Sequence, residues 1–172
     1  MTFKKYNAGR KAYRRGKSLE DKIEKAIDIY QLPQNNFKYE VIRNYDAMQK
    51  SKRGAFTVGK SSCDYSFWSK DFCGMIEAKA RGGKSIRKDA VAEHQRAQLK
   101  RLKAIGHHGF VCVQLECDLP NSPIYLVDID LWDTGDKKSH NKEDLAKIGI
   151  KCITFQLNVP DIMTTLHHYL IA

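Results

Sequence analysis

The chain has 172 residues, with 30 Lys and Arg against 20 Asp and Glu, and a net charge of +10 at pH 7. That length suits one ordinary domain, and the 42% of hydrophobic residues excludes a wholly disordered chain. No apolar run approaches the ~20 residues of a membrane span, and the basic N-terminus lacks the apolar segment of a secretory signal. The five cysteines form no CxxC pair, which predicts reduced thiols in an intracellular, cytoplasmic protein.

The positive charge is concentrated in the first part of the chain. Residues 1–103 carry 25 basic and 11 acidic side chains, whereas residues 104–172 carry 5 and 9. Such an uneven charge predicts a polyanionic partner. The basic segments lack the Trp/Phe/Leu face of an interfacial helix, so nucleic acid is favoured over a membrane surface.

A basic arm and an amphipathic helix are predicted to come first. Residues 1–17 carry seven basic and no acidic side chains, and we expect them to form a mobile arm. From Ser18, the expected N-cap, apolar residues recur with helical spacing until Pro33 ends the helix. Residues 18–172 are expected to form a single domain.

Strand-like segments follow the first helix. Alternating apolar residues predict a strand over 37–45, and a short apolar segment predicts another over 54–59, joined by a basic connection over 46–53. The segments 64–70 and 75–80 predict an antiparallel hairpin.

Helices and strands are predicted to alternate along the rest of the chain. A long helix is expected over 86–105, with His94 on its apolar stripe and Gly106 as its stop. Further strands are expected over 110–115, 124–129 and 151–157, and further helices over 141–148 and after Asp161. This order predicts an α/β layered domain with a mixed sheet.

The hairpin is predicted to gather residues that suit metal-ion chemistry. A loop with an even number of residues around Lys70-Asp71 sets Asp64 opposite Glu77, with Cβ atoms about 4.5–5.5 Å apart. Lys79 lies on the same face because side chains alternate along a strand. Two carboxylates this close repel each other unless a cation lies between them. Mg²⁺ suits such a site because it binds one or two carboxylates, keeps several waters and leaves room for phosphate oxygens.

These residues predict the cleavage of a phosphodiester. The metal ion would polarise the phosphoryl oxygen, and Lys79 would position the attacking water or offset charge on the phosphate. Glu20, near the start of the first predicted helix, is a candidate third carboxylate. Glu-x-Lys alone is not specific, since it also occurs at Glu20-Asp21-Lys22. The alternative is a solvated ion pair on an exposed sheet face.

Basic residues on either side of the hairpin are candidates for phosphate contacts. Few acidic residues accompany the basic residues that follow Lys79, which favours contact with phosphates over a solvated face. The DNA-binding candidates are Arg10, Lys11, Arg14, Arg15 and Lys17 in the arm, Lys50, Lys52, Arg53 and Lys60 before the hairpin, and Arg81, Lys84, Arg87 and Lys88 after it.

The order of an Asp, a hairpin and Glu-x-Lys within an α-β-β-β-α-β core resembles the PD-(D/E)XK nuclease superfamily. Within it, the chain is similar to the RecU family of Holliday junction resolvases. The matching segments are Gly16…Glu20…Ile23…Tyr30, Ser61-Ser62-Cys63-Asp64-Tyr65, Ile76-Glu77-Ala78-Lys79 and His94-Gln95. The resemblance implies a restriction-endonuclease-like fold, with a mixed central sheet flanked by helices.

The resemblance also implies an activity, an ion and a partner. It implies a homodimer that cuts four-way DNA junctions by paired nicking in recombination and repair, with Mg²⁺ or Mn²⁺ and no small-molecule cofactor. Asp64 and Glu77 would be metal ligands with Glu20 in support, Lys79 the catalytic lysine and Gln95 a supporting residue. Residues 46–62 occupy the position of the basic stalk that the family inserts into the junction.

Other interpretations of the sequence stay open. The nearest enzyme alternative is another nuclease of the superfamily, such as a restriction or repair endonuclease acting on linear duplex DNA. The alternative from another class is a non-catalytic DNA-binding protein whose carboxylates are structural. The Gly82-Gly83 pair after Lys79 departs from the family's usual segment. The expected compartment is the bacterial cytoplasm or nucleoid, or the host cytoplasm for a phage protein.

Overall fold

A computed structural model of the chain describes residues 3–30, 40–44, 47–50, 56–59, 63–119, 121–154 and 160–171. Its helices are α1 (Phe3–Tyr30), α2 (Glu93–Ala104), α3 (Ile129–Asp133), α4 (Lys142–Ile148) and α5 (Ile162–Ile171), with a 3₁₀ turn at Lys88–Ala90. Its strands are β1 (Glu40–Arg43), β2 (Ala47–Lys50), β3 (Phe56–Gly59), β4 (Tyr65–Trp68), β5 (Cys73–Ala80), β6 (Ser85–Arg87), β7 (His108–Gln114), β8 (Ile124–Asp128), β9 (Ser139–Asn141), β10 (Gly149–Lys151), β11 (Ile153–Thr154) and β12 (Pro160–Asp161). Among the described residues, no helix is both long and apolar enough to cross a membrane.

Six strands form the central sheet in the order β1-β4-β5-β7-β8-β10. β5 and β7 run parallel, and all other neighbours in this sheet run antiparallel. The predicted α-β-β-β-α-β order is formed by α1, β1, β4, β5, α2 and β7. The β2–β3 hairpin is inserted between β1 and β4. The predicted α/β class with a mixed sheet is confirmed.

Helices cover both faces of the central sheet. On one face, Leu19 of α1 and Leu166 of α5 pack in the same core cluster as Phe110 of β7. On the other face, Leu99 of α2 and Trp132 of α3 belong to a second core cluster. Burying each large apolar side chain stabilises the fold by about 1.5–3 kcal/mol. The sheet between the two cores is therefore a rigid support for functional side chains.

The first helix begins earlier than predicted. α1 begins at Phe3, so residues 3–17 of the expected mobile arm are helical and Ser18 is not an N-cap. Leu19 and Ile23 are buried on the sheet, and this packed half supplies the nucleus from which the helix extends toward its N-terminus. The helix is described as far as Tyr30, and Pro33 lies outside the described residues. The division into an arm and a nuclease domain stays a prediction.

The long helix expected over 86–105 is wrong in its first part. Ile86 lies in β6, which pairs with β9, and α2 begins only at Glu93. Leu99 is the buried residue of α2, whereas His94 is exposed. The prediction failed because apolar residues of β6 and of α2 together have the spacing of a single helix. Gly106 follows the helix with a φ of 86°, as expected for a helix stop.

Three further predicted segments differ from the structure. Residues 47–50 of the expected basic connection are strand β2, which pairs with β3 in a two-stranded sheet of its own. The strand expected over 124–129 ends at Asp128, whose side chain caps α3 by accepting a hydrogen bond of 2.9 Å from the amide of Asp130. The strand expected over 151–157 is interrupted at Cys152, and its residues 155–159 lie outside the described residues.

Candidate active site

The β4–β5 hairpin has the register predicted from the sequence. Tyr65 pairs with Ile76, so the preceding position sets Asp64 opposite Glu77. Oδ2 of Asp64 accepts a hydrogen bond of 2.8 Å from the amide of Ala78. The two carboxylates are therefore held together by the backbone of two paired strands.

Glu77 is fully buried, which is rare for a carboxylate. Its Oε1 accepts a hydrogen bond from Nζ of Lys79. Its Oε2 has no hydrogen-bond partner among the residues that the structure describes. Burial raises the pKa of Glu77 to about 7; the charge of Lys79 opposes the rise and that of Asp64 adds to it. A buried carboxylate oxygen without a partner costs free energy unless another group binds it.

Asp64 shares the electrostatic environment of Glu77. Burial raises the pKa of Asp64, whereas the hydrogen bond from Ala78 and the charge of Lys79 lower it. Both carboxylates are thus harder to ionise than in water, because each is desolvated and lies near another acid. A cation between them would reverse this effect.

Glu20 lies near this pair, but its carboxylate is engaged by Arg43. Arg43 of β1 forms ion pairs with both Glu20 and Glu24 on α1. The charge of Glu20 raises the pKa of Asp64 and that of Arg43 lowers it, so both groups act on the site. Sequence reasoning missed Arg43, because its position depends on the pairing of β1 with β4, where Arg43 faces Tyr65.

Gln95 reaches the site from the first turn of α2. Its Oε1 accepts a hydrogen bond of 3.1 Å from the amide of Ala92, which completes the N-terminal cap of the helix. Its side chain also lowers the pKa of Glu77. The structure therefore brings Asp64, Glu77, Lys79 and Gln95 together, with Glu20 beside them; the roles assigned to them stay predictions.

The pair of carboxylates fits a divalent cation that takes few protein ligands and keeps waters as the others. Within the described ranges, no group of three or more His, Cys, Asp and Glu side chains is arranged to hold a metal ion. Asp64 and Glu77 nevertheless offer carboxylate oxygens, one of them buried and without a partner in the described part of the chain. Mg²⁺ is commonly held by one or two carboxylates and waters, so this donor set fits it. Arg43 binds Oε2 of Glu20 and would compete with a cation for this carboxylate.

The predicted DNA-contact residues that the structure describes are mostly exposed. Arg14, Lys17, Arg81, Lys84 and Arg87 have exposed side chains. Lys17 lies 3.2 Å from Asp21, and Arg87 lies 2.5 Å from Asp89. The side chains of Arg10, Lys11 and Lys50 are outside the description, as are the residues Lys52, Arg53 and Lys60.

Two of these DNA-contact candidates, Lys88 and Arg15, bind other groups of the protein. Nζ of Lys88 donates to the carbonyl oxygens of Asp133, Thr134 and Gly135 at 3.3, 2.7 and 2.9 Å, so its ammonium supports a loop. Arg15 of α1 forms an ion pair with Asp118. These contacts compete with phosphate binding by both side chains.

The Arg15–Asp118 pair also accounts for a glycine. A Cβ on Gly82 would lie 2.4 Å from Cζ of Arg15 and 2.6 Å from Oδ2 of Asp118. Any larger residue there requires this ion pair to move. The turn is tied to the β7–β8 loop, because the amide of Cys117 donates to the carbonyl of Arg81 at 3.1 Å. Gly82 is thus constrained by the contact between α1 and the β7–β8 loop, whereas a Cβ on Gly83 would meet nothing within 4 Å.

Asp64 and the Glu77-Ala78-Lys79 segment lie together on the β4–β5 hairpin, beside Gln95 in the first turn of α2, which is the grouping expected from the sequence. The sequence model of the family described as Recombination protein U (RecU) matches residues 14–168. The chain therefore belongs to the RecU family, and the predicted class of Holliday junction resolvase is confirmed.

Other comparisons are more distant. No curated protein matches the chain. Among solved structures, the chain is similar to Hjc, a Holliday junction resolvase of the archaeal hyperthermophile Archaeoglobus fulgidus. The two share 15% identity and a TM-score of 0.49 over 81% of this chain and 94% of that chain.

Proposed function

We propose that the protein is a Mg²⁺-dependent endonuclease that resolves four-way DNA junctions by paired nicking as a homodimer. The observation that carries this proposal is the buried carboxylate of Glu77, with Oε1 bound to Lys79 and Oε2 without a partner in the described part of the chain. Membership of the RecU family supports the branched DNA substrate.

Asp64 and Glu77 are the residues that would hold the cation, with Glu20 as a third candidate. Oxygen-only ligands favour Mg²⁺ over softer metals, and Mn²⁺ accepts the same ligands. When bound, the ion would lower the pKa of a water and withdraw charge from a phosphoryl oxygen. The raised pKa values of both carboxylates follow from the desolvation that such an ion would offset.

In this proposal, Lys79 acts on the attacking water or on the phosphate. Its ammonium contacts Glu77, and its side chain is 24% exposed, so part of the side chain is accessible to solvent. An ammonium has three donors, which allows it to hold Glu77 and a second oxygen at once. Gln95 lies in the first turn of α2 and lowers the pKa of Glu77.

A symmetric dimer supplies the second cut. A four-way junction offers two strands at symmetry-related positions, and a C2 dimer carries two sites related by the same symmetry. The β2–β3 hairpin supports junction contact, because it is inserted between β1 and β4, just before Asp64, and pairs apart from the central sheet.

Cleavage of a synthetic four-way junction and of a linear duplex of the same sequence tests this proposal. Paired nicks are expected in the junction with Mg²⁺ or Mn²⁺ and not with EDTA. D64N and E77Q should lose cleavage and keep DNA binding, because they remove charge without removing side-chain volume. D71N, which changes an exposed carboxylate in the turn of the same hairpin, is the matched control.

The outcomes separate the three classes of function. Equal cleavage of both DNAs would favour an endonuclease of linear duplex DNA. Binding without cleavage under every ion would favour a non-catalytic DNA-binding protein. Cleavage by D64N or E77Q at the wild-type rate would refute the site.

A further inference from the structure

A basic groove lies between α2 and the loop that joins α3 to β9. It has a volume of about 560 Å³. Arg96 and Lys100 line it from α2, Lys137 and Lys138 line it from the loop, and Asp133 lies between the two sides. It shares no lining residue with the candidate active site.

Cations outnumber carboxylates at the centre of this groove. Asp133 lies 3.4 Å from Nη1 of Arg96 and 2.5 Å from Nζ of Lys100, so one negative charge is shared by two positive charges. Nε of Arg96 is buried and has no hydrogen-bond partner among the described residues. The pair of cations therefore retains one net positive charge for an anion.

The walls of the groove are held in place by hydrogen bonds. Lys88 donates through Nζ to three carbonyl oxygens of residues 133–135. Its backbone amide donates to the carbonyl of Lys138 at 3.0 Å, and its carbonyl accepts a bond of 3.3 Å from Nε1 of Trp132. The backbone of the loop that carries Lys137 and Lys138 is thus held in place by hydrogen bonds. This lowers the conformational entropy that the loop would lose on binding a ligand.

We propose that this groove binds the phosphodiester backbone of a duplex arm, with Arg96, Lys100 and Lys138 as the phosphate contacts. The inference rests on the proposed action on branched DNA. Guanidinium and ammonium groups are the usual partners of DNA phosphates. Gln95 of the candidate site and Arg96 of the groove are consecutive on α2, so the groove and the site both involve the first turn of this helix.

The salt dependence of DNA binding tests the groove. Each phosphate contact adds about 0.9 to the slope of log affinity against log salt concentration. The double variant K100Q/K138Q should therefore lower the slope by about 1.8 and weaken binding several-fold. The control K147Q/K151Q removes the same charge from exposed lysines on α4 and β10, outside the groove, and should leave the slope unchanged. Binding to a short duplex is measured by fluorescence anisotropy in EDTA.

A variant that removes a negative charge from the groove gives a second test. D133N removes the carboxylate that Arg96 and Lys100 share, so it should tighten binding and steepen the slope. A purely structural role of Asp133 predicts weaker binding instead.

The result is separable from the proposed nuclease activity. An unchanged slope in K100Q/K138Q, or an equal fall in the control, would overturn the groove as a DNA contact. Junction cleavage by the unaltered protein with Mg²⁺ is measured alongside. If the unaltered protein cleaves the junction and K100Q/K138Q keeps the salt slope, the groove is rejected as a DNA contact and the nuclease activity stands. If K100Q/K138Q lowers the slope and the unaltered protein does not cleave, the nuclease activity is rejected and the groove stands.

Discussion

Oδ2 of Asp64 accepts a hydrogen bond of 2.8 Å from the backbone amide of Ala78, the residue between Glu77 and Lys79. The bond joins the residue before β4 to the middle of β5. Asp64 is therefore positioned by the backbone of the strand that carries the other two site residues. The hydrogen bond fixes the orientation of its carboxylate toward β5.

This bond predicts different stabilities for two inactive variants. D64N keeps an oxygen that can accept from Ala78, whereas D64A removes the acceptor and leaves the amide unpaired. We expect D64A to lose about 1–3 kcal/mol of unfolding free energy and D64N to lose less. Chemical denaturation measures both values. Equal stability of D64A and the unaltered protein would show that the bond is absent in solution.

Mg²⁺ should stabilise the folded protein through Glu77. A ligand that binds only the folded state raises the melting temperature by mass action. We expect Mg²⁺ to raise it for the unaltered protein and for D71N, and not for E77Q or D64N. Differential scanning fluorimetry with and without EDTA measures this without DNA or cleavage. A Mg²⁺ shift retained by both E77Q and D64N would place the ion elsewhere.

Arg43 should weaken metal binding by holding Glu20. Its guanidinium neutralises Glu20 and lowers the pKa of Asp64, so it competes electrostatically with a cation at the same place. R43Q should lower the Mg²⁺ concentration at the midpoint of the thermal shift by a few-fold. E24Q is the matched control, because it removes the other partner of Arg43 and leaves the Glu20 pair in place. A midpoint unmoved in R43Q would contradict the competition.

The site was more predictable from the sequence than its surroundings. The opposition of Asp64 and Glu77 follows from a short turn and strand alternation, both of which are local. β6 was assigned to a helix because its partner, β9, lies more than 50 residues away, and no local pattern carries that pairing. Arg43 was missed for the same reason, since only the β1–β4 pairing brings it to the site.

His108 should make the protein less stable in mild acid. Its ring stacks on Phe110 and contacts Phe72 edge-on, and burial lowers its pKa. Asp128 opposes this shift, and Lys103 and His107 add to it. Because the folded pKa is depressed, the folded state binds the proton less tightly than the unfolded chain. The full stability is therefore present above the unfolded pKa of about 6.5 and is lost as the pH falls from there through the lower folded pKa.

H108F keeps an aromatic ring and removes this titration. Its unfolding free energy should fall less steeply than that of the unaltered protein as the pH is lowered from neutral. Denaturant unfolding across this range gives both curves. H94N, which changes an exposed histidine on α2, should follow the unaltered protein. Parallel curves for H108F and the unaltered protein would remove His108 as the cause.

The β2–β3 hairpin should matter for junctions and not for the metal site. Met48 pairs with Val58, so residues 49–57 can be replaced by a two-residue Asn-Gly turn that preserves this pairing. The hairpin forms its own two-stranded sheet, and the shortened protein should therefore keep the six-stranded sheet and its Mg²⁺ thermal shift. We expect it to lose affinity for a four-way junction much more than for a linear duplex, since a linear duplex has no centre for the hairpin to enter. Anisotropy with both DNAs measures the ratio, and light scattering gives the oligomeric state. Equal losses on both DNAs, or a monomer that still makes paired nicks, would refute the hairpin's role in a symmetric dimer.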